Sequence, residues 1–160
     1  MAICSAIVVR AAREADAVAL CAILHDTFEN TWLPQMSPTE AKAFSDEDRL
    51  SGYVASRGTA CWVAECDGEV VGFVDWEADF VNALHVRSSH TRRGIGARLM
   101  DHAEGAMTEA GFKAARLETD TFNIQSRAFY EVRGYREASR YPDTEWKSGF
   151  TTILLMKALG

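Results

Sequence analysis

The chain has 160 residues, 48% hydrophobic and 25% charged, with a formal net charge of -6. That composition is globular and excludes general disorder, and the length suits one domain that buries about 68–70% of its unfolded surface without staples. An acidic balance excludes non-specific nucleic-acid binding, which depends on spread-out positive charge. The opening Met1-Ala-Ile-Cys-Ser-Ala-Ile-Val-Val-Arg10 has no basic n-region and too short an apolar run for a signal peptide or a membrane span. The chain therefore reads as cytoplasmic, with no membrane and no nucleic acid among its partners.

In chain order, residues 6–10 are apolar and β-branched and read as a first strand. Residues 13–28 then place Val18, Cys21, Ala22, Leu24 and His25 at helical intervals. Ser37-Pro38-Thr39-Glu40 has the form of a capping box, which predicts a second helix running toward Leu50 or Tyr53. Residues 61–66 and 69–74 flank Asp67-Gly68, a pair that accepts the positive φ of a type I′ turn and so predicts a hairpin. After the acidic, aromatic stretch 75–80, another strand is expected over 81–87.

Ile95, Leu99, Ala103, Ala106 and Met107 share one helical face, with Gly111 placed to end that helix in a left-handed cap. A short strand over 115–119 follows, so strand, loop, helix and strand form a right-handed parallel crossover. Asn123 can cap a helix carrying Ile124, Ala128, Phe129 and Val132, which Gly134 closes; residues 135–141 and 151–157 supply two last strands. No repeat or linker interrupts the chain, and a single α+β domain over 1–160 is expected. The cysteines, Cys4, Cys21, Cys61 and Cys66, carry no C-x-x-C pair and read as reduced, packed thiols. His25, His85, His90 and His102 show no ligand spacing with acids or cysteines, so no metal is expected.

Between the strand at 81–87 and the helix after it lies an arginine-rich, glycine-punctuated turn. The first N–H groups of a helix have no partner inside it, and the macrodipole places roughly half a positive charge there. Gly94 and Gly96 leave no side chain between those groups and a ligand, while Arg87, Arg92, Arg93 and Arg98 add cations. A phosphate-bearing ligand fits such a turn. Gly-x-Gly beside arginines is also common in ordinary loops, so other segments must decide.

Two segments together resemble the GNAT superfamily of N-acyltransferases over nearly the whole chain. Thr91-Arg92-Arg93-Gly94-Ile95-Gly96 is similar to the family's Gln/Arg-x-x-Gly-x-Gly/Ala pyrophosphate motif, departing from it at Thr91. Asn123-Ile-Gln-Ser126-Arg-Ala-Phe129-Tyr130-Glu-Val-Arg-Gly134-Tyr135 resembles the family's Asn-x-x-(Ala/Ser)-x-x-Phe-Tyr segment. The resemblance implies an α+β, GNAT-like fold: a central, mostly antiparallel twisted sheet of six to seven strands with a parallel splayed pair, flanked by about four helices. It implies acetyl-CoA as co-substrate, with backbone groups of Leu84 and Val86 pairing with the pantetheine arm like an added strand. The turn from Thr91 through Arg92, Arg93, Gly94, Ile95 and Gly96 to Ala97 would hold the pyrophosphate, with Asn123, Ser126 and Tyr130 also touching the cofactor. Leu84 reads equally as a packing residue and Asn123 as a helix cap.

Acetyl transfer to an amine needs a neutral nitrogen, donors for the developing oxyanion and a proton for the departing thiolate. A backbone N–H at Leu84 or Val86 can serve the oxyanion. Tyr130, at the family's general-acid position, can protonate the thiolate. The strand positions that carry a base in relatives fall at Phe80 and Asn82, so the candidates are Glu118, His85 and Asp75 or Asp79, or no strong base at all.

Phe28, Trp32, Leu33 and Met36 lie in the segment that contacts the acceptor in the family. Trp76, Tyr141 and Trp146 can add aromatic walls beside Asp75, Asp143 and Glu145, which suits a small cationic amine. A peptide N-terminal acetyltransferase and a non-catalytic acyl-CoA sensor are the alternatives. The resemblance also allows a homodimer, with no interface fixed by the sequence.

Overall fold

The computed structural model describes residues 4–46, 48–144 and 148–160. Its chain forms two compact units, one of residues up to Asp75 with Ala83–Ala103, the other of Trp76–Asn82 with Glu104–Gly160. Seven strands run in the order β1-β2-β3-β4-β5-β7-β6, antiparallel in every recorded register except β4 with β5. This is the mostly antiparallel sheet with one parallel pair that the sequence predicts.

In the first unit β1 (Ile7–Ala11) pairs with β2 (Trp62–Cys66), from Ile7↔Cys66 to Ala11↔Trp62. The turn from β2 into β3 (Glu69–Glu77) has φ of 51° at Asp67 and 88° at Gly68, the left-handed pair a type I′ hairpin needs. Helices α1 (Ala17–Thr27) and α3 (Arg49–Arg57) turn Leu20, Ile23, Leu24 and Val54 onto Cys61, Val63 and Phe73, forming one buried cluster. Between them α2 (Pro38–Asp46) opens on the predicted capping box: Ser37 Oγ accepts from Glu40 N–H and Glu40 Oε2 from Ser37 N–H, both at 3.2 Å.

Two expectations are corrected here. The second helix does not continue to Leu50 or Tyr53 as one rod; Asp48 takes φ 46° and a new helix starts after it. Nor are all four cysteines reduced, because Cys4 is bonded to Cys66 while Cys21 and Cys61 are free. The 62-residue separation gave no spacing signal; the β1–β2 register brings the two sulfurs together. Ser5 and Ala6 amides add to that strap by donating to the Asp67 carboxylate at 3.1 Å.

The second unit holds the start of β4 (Phe80–Val86), which pairs in parallel with β5 (Ala114–Asp120) at Phe80↔Arg116 and Val81↔Leu117. Past Val81 that register is not continued among the described residues. Strand β5 pairs along its whole length with β7 (Thr151–Ala158), and β7 with β6 (Arg136–Pro142). Asn123 caps α5 (Ile124–Val132) as predicted, its Oδ1 accepting from Ser126 N–H at 3.1 Å, and Gly134 turns the chain out at φ 98°. Among the described residues no helix is long and apolar enough to cross a membrane.

Helix α4 (Ile95–Glu109) runs from the first unit into the second and buries Ile95, Leu99, Met100, Ala103 and Met107 completely or nearly so. It approaches β3 over Gly72. A Cβ there would lie 3.0 Å from His85 O, 3.3 Å from Ile95 Cγ2 and 3.3 Å from Leu99 Cδ1. Backbone cannot give way as a side-chain tip can, so Gly72→Ala should destabilise the protein by about 1–3 kcal/mol. Thermal melting of the two proteins checks this; an unchanged Tm would show that the helix has room to retreat.

Candidate functional site

The glycine turn belongs to the first unit. After Val86 the chain makes a short turn at Ser88–His90 and reaches α4 through Thr91–Gly94. Arg92 has φ 62° and Gly94 φ 78°, so the backbone takes left-handed conformations just ahead of the helix, the kind of turn from which anion-binding nests of N–H groups are built. Arg98 N–H donates to Gly94 O at 3.0 Å as the helix opens, and the amides of Ile95 and Gly96, in its first turn, have no acceptor inside the helix.

Side chains brace this turn from outside. Asp26, at the end of α1, accepts from Ser88 N–H at 2.7 Å and Ser88 Oγ at 2.8 Å. Arg87 donates to Glu69 at 3.0 Å, and Arg98 to the Ile7 carbonyl at 3.0 Å. Two of the four arginines that the sequence offers to a phosphate are therefore tied to the protein itself. Arg92 stands exposed beside the turn and Arg93 is half-buried. Asp26 was not legible as part of the site, since nothing in its spacing links it to Ser88.

His85 lies on β4 between Leu84 and Val86. Its Nδ1 is 2.9 Å from Thr27 Oγ1, and its ring sits 5.3 Å from the Phe73 ring and 5.9 Å from that of Trp32. Burial among these groups pushes its pKa down to about 4, so the imidazole is neutral at pH 7. Phe28 stacks on Phe44 with ring centroids 4.6 Å apart, and the chain from Phe28 to Trp32 forms a π-turn that continues α1. Asp75 is fully buried and takes Arg57 at 2.6 and 3.1 Å and the Tyr53 hydroxyl at 2.6 Å. Those three donors occupy the carboxylate, and Tyr53 is pushed well above its ordinary pKa chiefly by burial.

The second unit carries the remaining predicted residues. Tyr130 is 7% exposed, with Phe129 and Tyr135 edge-on at 5.1 and 5.5 Å. Burial raises its pKa, so the phenol stays protonated through the neutral range. Its hydroxyl makes no hydrogen bond among the described residues. Ser126 Oγ lies 3.0 Å from Thr119 Oγ1. Glu118 is exposed and accepts from the Tyr141 hydroxyl at 2.6 Å; burial first, and this hydrogen bond second, push Tyr141 up to about 12. Asp79 is held by Arg116 through two bonds of 2.9 Å, which keeps its carboxyl below the ordinary range. Trp76 is half-buried at the end of β3, and Glu145 and Trp146 lie outside the described residues.

The profile of the "Acetyltransferase (GNAT) family" matches residues 17–135. The chain belongs to the GNAT acetyltransferase family. It is 27% identical to an uncharacterized N-acetyltransferase of Lactobacillus delbrueckii subsp. lactis, covering 91% of this chain and 94% of the relative. A blasticidin-S acetyltransferase of Streptomyces morookaense is 35% identical over 59% of this chain and 68% of its own length. Among solved structures, the PaiA N-acetyltransferase of Thermoplasma acidophilum in complex with coenzyme A superposes with a TM-score of 0.74 at 20% identity, covering 96% and 99% of the two chains.

As a GNAT enzyme the protein is an acyltransferase whose donor is acetyl-CoA. The left-handed turn at Arg92 and Gly94 and the helix-start amides of Ile95 and Gly96 fit a pyrophosphate, which accepts hydrogen bonds and carries negative charge.

The acetyltransferase should also lose stability in mild acid because of His85. Its folded pKa lies below the unfolded value near 6.5, so below pH 6.5 the unfolded chain binds more protons than the native one. Stability is present above pH 6.5 and falls as pH drops toward 4. Urea unfolding across that window should show the fall, and His85→Gln should flatten it; equal slopes in both proteins would contradict the buried, neutral imidazole.

Proposed function

We propose that this acetyltransferase moves the acetyl group of acetyl-CoA onto the primary amine of a small molecule by direct attack, working as one domain over residues 1–160 in the cytoplasm. The observation that carries the acceptor class is the 35% identity to an enzyme named for blasticidin S, itself a small molecule. The aromatic groups at Phe28 and Trp32 on the π-turn suit an acceptor with a carbon frame to cover.

In this reading the Leu84 and Val86 backbone groups pair with the pantetheine arm, and the amides of the turn from Thr91 to Ala97 hold the pyrophosphate, with Arg92 and Arg93 adding charge. Asn123, Ser126 and Tyr130 attend the same co-substrate. The amine nitrogen attacks the thioester carbon, and an N–H of the cofactor strand stabilises the oxyanion. As the C–S bond breaks, the thiolate takes the Tyr130 proton. The amine's proton leaves through water to Glu118, the candidate base that is exposed and bonded to a phenol. Asp75 serves structure through Arg57 and Tyr53, and His85 is too weak a base at pH 7 to gain much from a proton. Dimerisation remains compatible with this reading and is not needed by it.

A turnover screen with acetyl-CoA across polyamines, amino acids, aminoglycosides and peptide N-termini tests the acceptor class. Small amines should turn over; turnover of peptides alone would reject the reading. Tyr130→Phe should lower kcat by about 10²-fold or less at saturating acetyl-CoA, because a thiolate leaves readily. An unchanged kcat would remove Tyr130 from the chemistry. Replacing Arg92 and Arg93 together with alanine should raise KM for acetyl-CoA and leave kcat nearly unchanged.

A further inference from the structure

Three groups with one kind of chemistry meet outside the acetyl-transfer residues. The sulfurs of Cys4 and Cys66 and a ring nitrogen of His90 all lie within 4.8 Å of one another. All three residues belong to the first unit: Cys66 ends β2, Cys4 precedes its antiparallel partner β1, and His90 closes the turn after β4. Cys66 is buried while Cys4 and His90 are half-buried, which leaves an approach from solvent. While the sulfurs are joined they are neutral, and only thiolates ligate a metal strongly. A dithiol reductant changes that: it gives two electrons and two protons to the S–S bond, leaves as its own disulfide and frees two thiols.

We propose that in this reduced state Cys4, Cys66 and His90 bind one thiophilic divalent cation of the zinc type, with water as the fourth ligand. With Zn–S near 2.3 Å and Zn–N near 2.0 Å, a tetrahedral ion sets its ligand atoms roughly 3.5–3.8 Å apart. The 4.8 Å limit observed is within about 1 Å of that spacing, and opening the S–S bond moves the sulfurs in the required direction. Two thiolates and an imidazole select zinc over magnesium or calcium, which prefer oxygen. Binding releases the two thiol protons.

Neighbouring contacts favour the same arrangement. His90 Nδ1 is 2.7 Å from Ser89 Oγ; with Nδ1–H donating there, Nε2 keeps its lone pair for an ion, the orienting contact that ligating histidines use. The hydrogen bonds from Ser5 and Ala6 to Asp67 hold the segment after Cys4 against the hairpin turn after Cys66 and do not involve the sulfurs. The structure holds the bonded state, and a reducing cytoplasm would supply the dithiol state that binds the ion, so to that extent the inference rests on the location proposed above.

Cobalt titration of the reduced full chain tests the site without acetyl-CoA or any amine, so its failure is separate from that of the acetyl-transfer reading. One equivalent of cobalt should raise a thiolate-to-cobalt charge-transfer absorption that zinc then removes. Cys4→Ser, Cys66→Ser and His90→Ala should each weaken cobalt binding by about tenfold or more, Cys21→Ser should leave it intact, and protein oxidised with diamide should bind none. Circular dichroism on each variant separates a lost ligand from a lost fold. No absorption in folded, reduced protein would overturn the proposal, as would binding that survives His90→Ala or oxidation.

Discussion

The approach of helix α4 to strand β3 at Gly72 is the contact on which the geometry of the glycine turn depends. Because residue 72 has no side chain, Ile95 and Leu99 come down against the strand and the backbone of His85 closes in beside them. That fixes where the helix begins, and its beginning fixes the direction of the Ile95 and Gly96 amides. The charged side chains around the turn serve the same end: Asp26 holds Ser88, Glu69 holds Arg87, and the Ile7 carbonyl holds Arg98. A site made of backbone amides needs such bracing, since its donors cannot adjust by rotating about side-chain bonds. It also explains how Thr91 can stand where the family motif has Gln or Arg, because the geometry resides in the main chain on either side of it.

Several acidic side chains are bound up in structure. Asp75 is surrounded by an arginine and a phenol, and Asp79 is clamped by Arg116 under the Phe80 ring, with the Arg116 guanidinium 5.3 Å from its centroid. Removing a partner from the buried Asp75 would leave its charge uncompensated, so that acid acts as a fastener, whereas the Asp79–Arg116 pair lies partly in solvent. In the second unit Glu104 gathers Arg133, Lys157 and the Tyr135 hydroxyl, and Tyr135 packs edge-on against Tyr130. Tyr130 thus rests on an aromatic ring that is itself pinned by a charged network. Glu118 differs from these acids in being exposed, with the Tyr141 hydroxyl donating to it.

What was legible in the sequence is what local chemistry decides. Asp67-Gly68 requires a left-handed turn, Ser37 with Glu40 closes a capping box, Asn123 caps α5, and apolar spacing gives α4 its buried face. Each outcome follows within a few residues of the signal. The Asn123–Tyr135 segment narrowed a generic phosphate turn to an acyl-CoA site because two local patterns appeared in the right order. The break at Asp48, the π-turn after α1 and the Arg57–Tyr53–Asp75 cluster were not legible, since each is set by packing between distant segments. Cys4 and Cys66 show the same limit: 62 residues apart, they become neighbours through the β1–β2 pairing and the Ser5 and Ala6 bonds to Asp67.

The central claim is that main-chain amides, positioned by α4, hold the acyl carrier. Amide hydrogen exchange with and without coenzyme A measures this directly, residue segment by residue segment. The account predicts that coenzyme A slows exchange at 94–97 and 84–86 in the wild-type protein and still does so when Arg92 and Arg93 are both alanine, at ligand levels that restore saturation. Protection that vanishes from 94–97 in the doubly substituted protein at saturation, or that never appears there, would contradict it.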